Sequence, residues 1–431
     1  MMLRLLMIST ALALLAAGPA LAQEAPGTSI AIHAAHLLDP ASGKTLDDQT
    51  ILVQGDKITA VGPSATVRAP AGARLIELGS ATLLPGLIDV HTHLTGNATD
   101  GPLSDFTTST AQEAIRGVVN ARKTVEAGFT TVRNVGASGF TDVALRDAIN
   151  SGDVEGPRMQ VSGPPLGATG GHADDNLPPY EAHKAGEGVA DGPWALRAKV
   201  RQNAKYGADL IKFMGSGGVL SHGDSVGGQQ LNQEEMNAIV QEAHMWGRKV
   251  AVHAHGTSSI KAAILAGADS IEHSSLIDDE GIKLAKEHGT YLDFDIYNDD
   301  YILAEGEKNG LEKASMDKER QIGRLQRENF RKAWKGGAKM AYATDSGVYP
   351  HGDNAKQFNT MVTWGMTPLE AIRSATIWAA DLMGWSGKVG CVGAGCYADI
   401  IAVGSDPLAD VKTLQHVTFV MKGGEVLKGG K

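Results

Sequence analysis

The 431-residue sequence contains only two cysteines, Cys391 and Cys396. Two thiols cannot build a disulfide framework, and a C-x4-C pair with no histidine beside it makes a poor zinc site. A single local disulfide, in an oxidising compartment, and a pair of free thiols are both open readings. Runs of lysine and arginine are missing and the formal net charge is −10, which argues against nucleic acid as a partner. No stretch is apolar for long enough to cross a bilayer comfortably. Low-complexity linkers are missing too, and the one repeat is an alternation of strands and helices.

What is there begins with a leader. Residues 1–22 read as a secretory signal: Arg4 is the positive end, Leu5 to Ala17 the apolar middle, and Ala20-Leu-Ala22 the small-residue cleavage site. This predicts export, to the periplasm in a bacterium, with no membrane contact after cleavage. The mature chain, 42% hydrophobic and 20% charged overall, has the composition of a soluble protein long enough for more than one domain. Its 53 glycines suggest many tight loops.

Residues 29–36, 50–53 and 58–62 read as strands, the last two joined as a hairpin through Gln54-Gly-Asp-Lys57. His33 and His36 lie three apart on this sheet and face opposite sides, as structural residues would. From Ala81 onward short apolar strands alternate with helical stretches. Strands are expected at 84–93, 129–135, 158–163, 210–215, 249–255, 270–274, 291–297 and 340–345. Helices are expected at 110–127, 191–206, 232–247, 257–267, 279–288 and 315–336, with glycines at 128, 207, 247, 267 and 289 as C-terminal stops. Eight βα units over about 260 residues match a TIM (β/α)8 barrel. No G-x-G-x-x-G follows the first strand, which counts against a doubly wound open sheet. A helix opens at Thr367-Pro-Leu-Glu370, and strands at 398–403 and 417–422 should pair with the N-terminal hairpin. The expected architecture is therefore α/β, a barrel over 81–384 inserted between two halves of a small β-sandwich, 23–80 plus 385–431.

The chemistry gathers at strand ends, where a barrel carries its reactive groups. Leu84-Pro-Gly-Leu-Ile-Asp-Val-His-Thr-His93 ends in two histidines at i and i+2, which project from one face of a strand. Lys212 sits in the fourth strand, His253 and His255 end the fifth, His273 lies on the sixth and Asp345 ends the eighth. Neutral imidazoles beside a carboxylate suit a divalent transition metal. The plainer readings are a Lys212–Asp345 ion pair, and Asp345 as a helix cap before Ser346-Gly347. A buried lysine with a lowered pKa can instead add CO2 to give a carbamate that bridges two metals. His253, the deeper of its pair, is the favoured ligand, with His255 beside the substrate. His172, His222 and Tyr297 fall on loops or strand ends at the same mouth and are candidate substrate contacts; an ordinary loop role is the alternative for each.

Taken together, these residues resemble the amidohydrolase superfamily over nearly the whole mature length. Thr344-Asp345-Ser-Gly347 is among the superfamily's marks, and Gly128-Phe-Thr-Thr-Val-Arg133, Gly170-Gly-His172, Val252-His-Ala-His-Gly256 and Gly395-Cys-Tyr-Ala-Asp399 look like its imidazolonepropionase-like branch, which holds Xaa-Pro dipeptidases and ochratoxin A-degrading enzymes. The resemblance implies two metal ions, usually zinc, held by His91, His93, carboxylated Lys212, His253, His273 and Asp345. It implies hydrolysis of an amide to a C-terminal amino acid by metal-activated hydroxide, with Asp345 relaying the proton, on a small peptide-like substrate, in a homo-oligomer. Asn134 stands where the branch often has aspartate. One rival keeps the site and changes the bond, to a cyclic amide or lactone; the other is a non-catalytic binding protein, which would be expected to have lost ligands, whereas all six are kept here.

Overall fold

The computed structural model describes residues 29–100, 104–176, 185–222 and 224–430, so the leader at 1–22 lies outside the described residues. Five strands open the chain: β1 (Ile30–Asp39), β2 (Lys44–Gln54), β3 (Lys57–Pro63), β4 (Arg74–Glu77) and β5 (Thr82–Pro85). They form one mixed sheet with the last three strands, β13 (Ile400–Val403), β14 (Val417–Lys422) and β15 (Glu425–Lys428), in the order β15-β14-β13-β5-β1-β2-β3. β4 pairs parallel to β1. The expected union of the chain's two ends is present, made by β13 lying antiparallel to β5, with Ile401 opposite Leu84. Ile32, Leu37, Ile51, Leu83, Ile400 and Phe419 form its buried core. Cys391 and Cys396 flank this core as a disulfide.

The strand expected at 84–93 is two strands. β5 ends at Pro85, and β6 (Leu87–Thr92) starts a different sheet. Gly86 is the crossing point: a Cβ there would lie 2.0 Å from Thr130 Oγ1, so only glycine fits. Hydropathy runs straight through this break because both strands are buried.

β6 pairs parallel with β7 (Phe129–Asn134), and β7 with β8 (Arg158–Val161). A second parallel sheet holds β9 (Leu210–Met214), β10 (Lys249–Ala254), β11 (Ser270–His273) and β12 (Tyr291–Asp293). Helices Thr110–Glu126, Pro193–Lys205, Gln233–Met245, Thr257–Ala266, Asp279–His288 and Lys313–Lys335 lie close to their expected bounds. The five glycines expected as helix stops all have φ between 65° and 98°, where a side chain would strain the turn. A helix at Thr141–Ser151 is additional.

The two parallel sheets meet at both edges. Asp209 N donates to Val161 O (2.7 Å) and Leu166 N to Lys212 O (2.9 Å) on one side. On the other, residues 339–346 run between β12 and β6, with Leu292 N to Lys339 O, Val90 N to Tyr342 O and Asp345 N to His91 O at 2.8–2.9 Å. The strand expected at 340–345 is therefore not formed: the segment lies beside β6 as irregular chain, with one isolated bridge, Thr92 to Ser346. Its amides are spent elsewhere: Ala341 N on Asp293 Oδ1, Tyr342 N on Ser374 O and Thr344 N on Asp89 Oδ1.

Candidate active site

Asp89, His91 and His93 share one face of the β6 strand, as the alternation requires. Asp89 is fully buried and fixes this strand to the 339–346 segment. Its carboxylate accepts from Thr344 Oγ1 (2.5 Å), Asn354 Nδ2 (2.7 Å) and the His91 amide (3.2 Å). One turn of the pleat further on, His91 Nε2 and His93 Nε2 each lie 3.2 Å from Asp345 Oδ1. The helix-cap reading of Asp345 therefore falls away, because its oxygens face the histidines and not a helix.

A second cluster completes the site. Ligand atoms of His253, His255 and His273 lie within 4.8 Å of one another, as do those of His91, His273 and Asp345. His273 belongs to both triads and sits between them, its ring 5.1 Å from that of His91 and 4.4 Å from that of His253. His273 Nδ1 is bonded to Asp295 (3.0 Å), which Gln326 (2.6 Å) and Asn298 (2.7 Å) hold in turn. His255 Nδ1 is bonded to Ser275 Oγ (2.8 Å), whereas His253 Nε2 is buried without a hydrogen-bond partner among the described residues. His273 and Asp345 both adopt left-handed backbone, φ 69° and 55°. That conformation costs a non-glycine residue about 1–3 kcal/mol and is held only where the surroundings over-determine it.

Lys212, 1% exposed, lines the same cavity. No carboxylate forms an ion pair with its Nζ among the described residues, so the simple Lys212–Asp345 pair is not what the fold builds. Burial pulls the ammonium down to about 8, against the pull of Glu272 and Asp345. A free amine is therefore accessible near neutrality. Burial and the neighbouring imidazoles also hold His253 and His255 well below their usual value, in the neutral form that ligates metals. His91 differs: burial and Lys212 push it down, but Asp345 and Glu272 prevail and hold it at about 9. Positive charge is wanted at this end of the site. His91 Nδ1 is 3.0 Å from Glu272 Oε2, close but poorly aligned for a hydrogen bond.

Beneath the ligands lies a buried charged layer. Arg133 donates to Val90 O (2.6 Å), Ser270 Oγ (3.0 Å), Glu272 Oε1 (2.7 Å) and Asp293 Oδ2 (3.2 Å). Burial pushes Glu272 up, but Arg133, His91 and Lys212 outweigh it and hold the carboxylate well below its ordinary value. Asp293 is driven the other way by burial and by the Glu272 charge. Asn134 next in the strand accepts from Leu94 N (2.7 Å) and donates toward Asp142 (3.4 Å). An aspartate there would face Asp142 as a like charge.

A cavity of about 360 Å³ opens over the triads, and eight of the ten residues singled out in the sequence line it: His91, His93, His172, Lys212, His253, His255, His273 and Asp345. The His172 ring stacks on His253 with centroids 4.2 Å apart. His222 and Tyr297 are not brought to it. His222 is exposed and pairs with Glu312 (3.3 Å), and the Tyr297 ring packs edge-on against Tyr349. Sequence reasoning missed Tyr301, Asn298 and Glu319, which do line the cavity. Glu319 projects from the long helix Lys313–Lys335, and no local pattern marks it.

The donor set fits divalent metals. Two triads of nitrogen and carboxylate donors share one histidine, and a buried imidazole nitrogen is left with nothing to bind. Comparison with known proteins agrees. The model of the amidohydrolase family matches residues 82–427. The chain is 34% identical over 425 residues to ochratoxinase from Aspergillus niger, covering 92% of this chain and 86% of that protein. It is 25% identical over 393 residues to imidazolonepropionase from Idiomarina loihiensis, covering 86% and 89%. A solved Xaa-Pro dipeptidase with methionine bound in its active site superposes with a TM-score of 0.88 at 37% identity, covering 93% of this chain and all of that one. With its ligand-type residues converging from strands far apart in sequence and these relatives spanning nearly its full length, the chain belongs to the amidohydrolase family, on the branch that these proteins share.

Proposed function

We propose that the protein is a binuclear, zinc-dependent hydrolase that cleaves the amide bond to a C-terminal amino acid. The two parallel sheets and the 339–346 segment would form its (β/α)8 barrel over residues 81–384. Segments 23–80 and 385–431 would form the β-sandwich, and residues 1–22 an export signal. The observation that carries the reading is Lys212: a buried amine, near neutrality in its pKa and free of any ion pair among the described residues, beside two ligand triads that share His273.

His91, His93, His253, His273 and Asp345 would hold the metals, with Lys212 between them after its Nζ adds CO2 and releases a proton. Bound divalent ions supply a lowered water pKa and polarisation of the scissile carbonyl. Asp345 Oδ1 faces both His91 and His93, so Oδ2, 3.4 Å from Asn298 Nδ2, is the oxygen left to take the water's proton and pass it to the leaving nitrogen. His172 and His255, which line the cavity, would donate to a substrate oxygen. The Xaa-Pro dipeptidase and ochratoxinase relatives support dipeptides and the amide of ochratoxin A as substrates. The imidazolonepropionase relative supports the second reading, hydrolysis of a cyclic amide on the same ligands.

The test is a panel of N-acyl amino acids, dipeptides, ochratoxin A and cyclic amides, assayed with zinc-loaded protein, alongside Lys212→Ala and metal analysis. We expect two metal equivalents per chain, hydrolysis of the linear amides, and loss of activity in Lys212→Ala. Undiminished activity in Lys212→Ala, or a single equivalent of metal, would overturn the binuclear assignment.

A further inference from the structure

The wall of the cavity beside Asp345 and Asp295 carries two further polar groups, Asn298 and Glu319. Asn298 is 5% exposed and lines the cavity; its Nδ2 is fixed by two carboxylates, Asp295 (2.7 Å) and Asp345 (3.4 Å). Its Oδ1 is therefore the other amide atom, and this buried acceptor has no partner among the described residues. Glu319 lines the same cavity, 4% exposed, with its carboxyl beside that of Asp299, the residue after Asn298. Asp299 already has a cation, Arg327 at 3.1 Å. Gly323, one turn beyond Glu319, makes room for this pair: a Cβ there would sit 2.1 Å from Asp299 Oδ1 and 2.8 Å from Glu319 Oε1.

Burial, with the Asp299 and Asp295 charges behind it, lifts Glu319 to about 8, so the group carries its proton until a cation arrives. Charge around the cavity points the same way. Besides the ligand Asp345, Asp100, Asp295 and Glu319 line it, with Lys212 as the one lysine or arginine among the lining residues. A positively charged donor is what this wall lacks. A neutral acyl cap would leave Asn298 Oδ1 buried and unbonded.

We propose that Asn298 and Glu319 bind the protonated amino group of a dipeptide-like substrate, so that the enzyme selects a free amino terminus over an acylated one. The inference rests on the amide-hydrolase reading above and adds the charge of the substrate's acyl half. On binding, the ammonium keeps its proton, and Glu319 gives up its own to solvent.

The test compares each dipeptide hydrolysed in the panel with its N-acetyl derivative, using the zinc-loaded full chain, wild type and Glu319→Gln. Wild type should prefer the free amine in kcat/KM by about tenfold or more, the effect of one charged hydrogen bond, and Glu319→Gln should erase most of that ratio. Equal rates on both members of a pair by wild type, or a ratio that survives in Glu319→Gln, would overturn the proposal. A loss shared equally by both substrates would make Glu319 a positioning residue only and overturn it as well. The wild-type ratio needs no variant, so the proposal stays open to refutation even if Glu319→Gln misfolds. Absence of turnover on every linear amide would instead sink the functional reading beneath it.

Discussion

Replacing Arg133 with methionine isolates the charged layer under the metal ligands. The guanidinium makes four hydrogen bonds, two of them to carboxylates in the interior. Methionine fills similar volume but leaves Glu272 buried without its guanidinium partner, with Ser270 Oγ (2.6 Å) and His91 Nδ1 (3.0 Å) still beside it. Breaking one side of such a pair costs about 3–5 kcal/mol, far more than the pair itself contributes over an apolar replacement. The Arg133→Met chain should lose that much by urea denaturation followed through tryptophan fluorescence at neutral pH. Glu272 has a depressed folded pKa, so its stabilising contribution is present above its unfolded value of about 4.5 and is lost as pH falls through the folded one. The deficit of Arg133→Met should therefore be full at neutral pH and shrink on acidification. Adding Glu272→Gln to Arg133→Met should restore about 2 kcal/mol by removing the stranded charge. A loss below about 1 kcal/mol, or no recovery in the double variant, would refute the uncompensated-charge argument.

Gly218→Ala should cripple the site without replacing a ligand, since its Cβ would lie 2.5 Å from His172 Cε1 and 2.9 Å from His253 Nε2. A fall of about ten- to hundredfold in kcat/KM, with the melting temperature of the metal-free protein little changed, is the expected result. Stripping metal with a chelator should abolish activity and lower the melting temperature, and zinc should restore both; an unchanged melting curve would speak against binding at the triads. In the small sheet, His33 is bonded to Asp48 (2.9 Å) and Glu77 (2.7 Å), which raise its pKa. That stabilisation is complete below the unfolded pKa of about 6.5 and lost as pH rises through the folded value. His33→Gln should therefore melt earlier than wild type at about pH 5.5 and converge with it under alkaline conditions.

The histidine ligands were legible because they fall at or beside the end of a strand, where period-two alternation fixes direction: His91 and His93, or His253 and His255, can point only one way once the strand is placed. His222 and Tyr297 had no such constraint. They sit on loops, and loop side chains take their direction from contacts that no periodicity encodes. Arg133, Glu272 and Asp293 escaped notice for another reason. A lone charge in an apolar strand looks like an exposed position, and only the closure of the sheets shows the three meeting in the interior. The helix Thr141–Ser151 starts from Phe140 in the left-handed conformation with no side-chain cap, so it lacks the start signal that marks Thr367. The 340–345 segment read as a strand and does occupy a strand's place, but its amides answer to Asp89 and Asp293, partners fixed only in three dimensions.

The Pro85-Gly86 step has a bearing on how a nascent chain matures. The strand feeding His91 gains one neighbour from the first forty residues and the other, β13, only after about four hundred have been made. A ribosome must therefore release almost the entire polypeptide before that feeder strand is gripped on both sides. Completion of the proposed metal site would then be a late event, reached wherever the finished chain comes to rest.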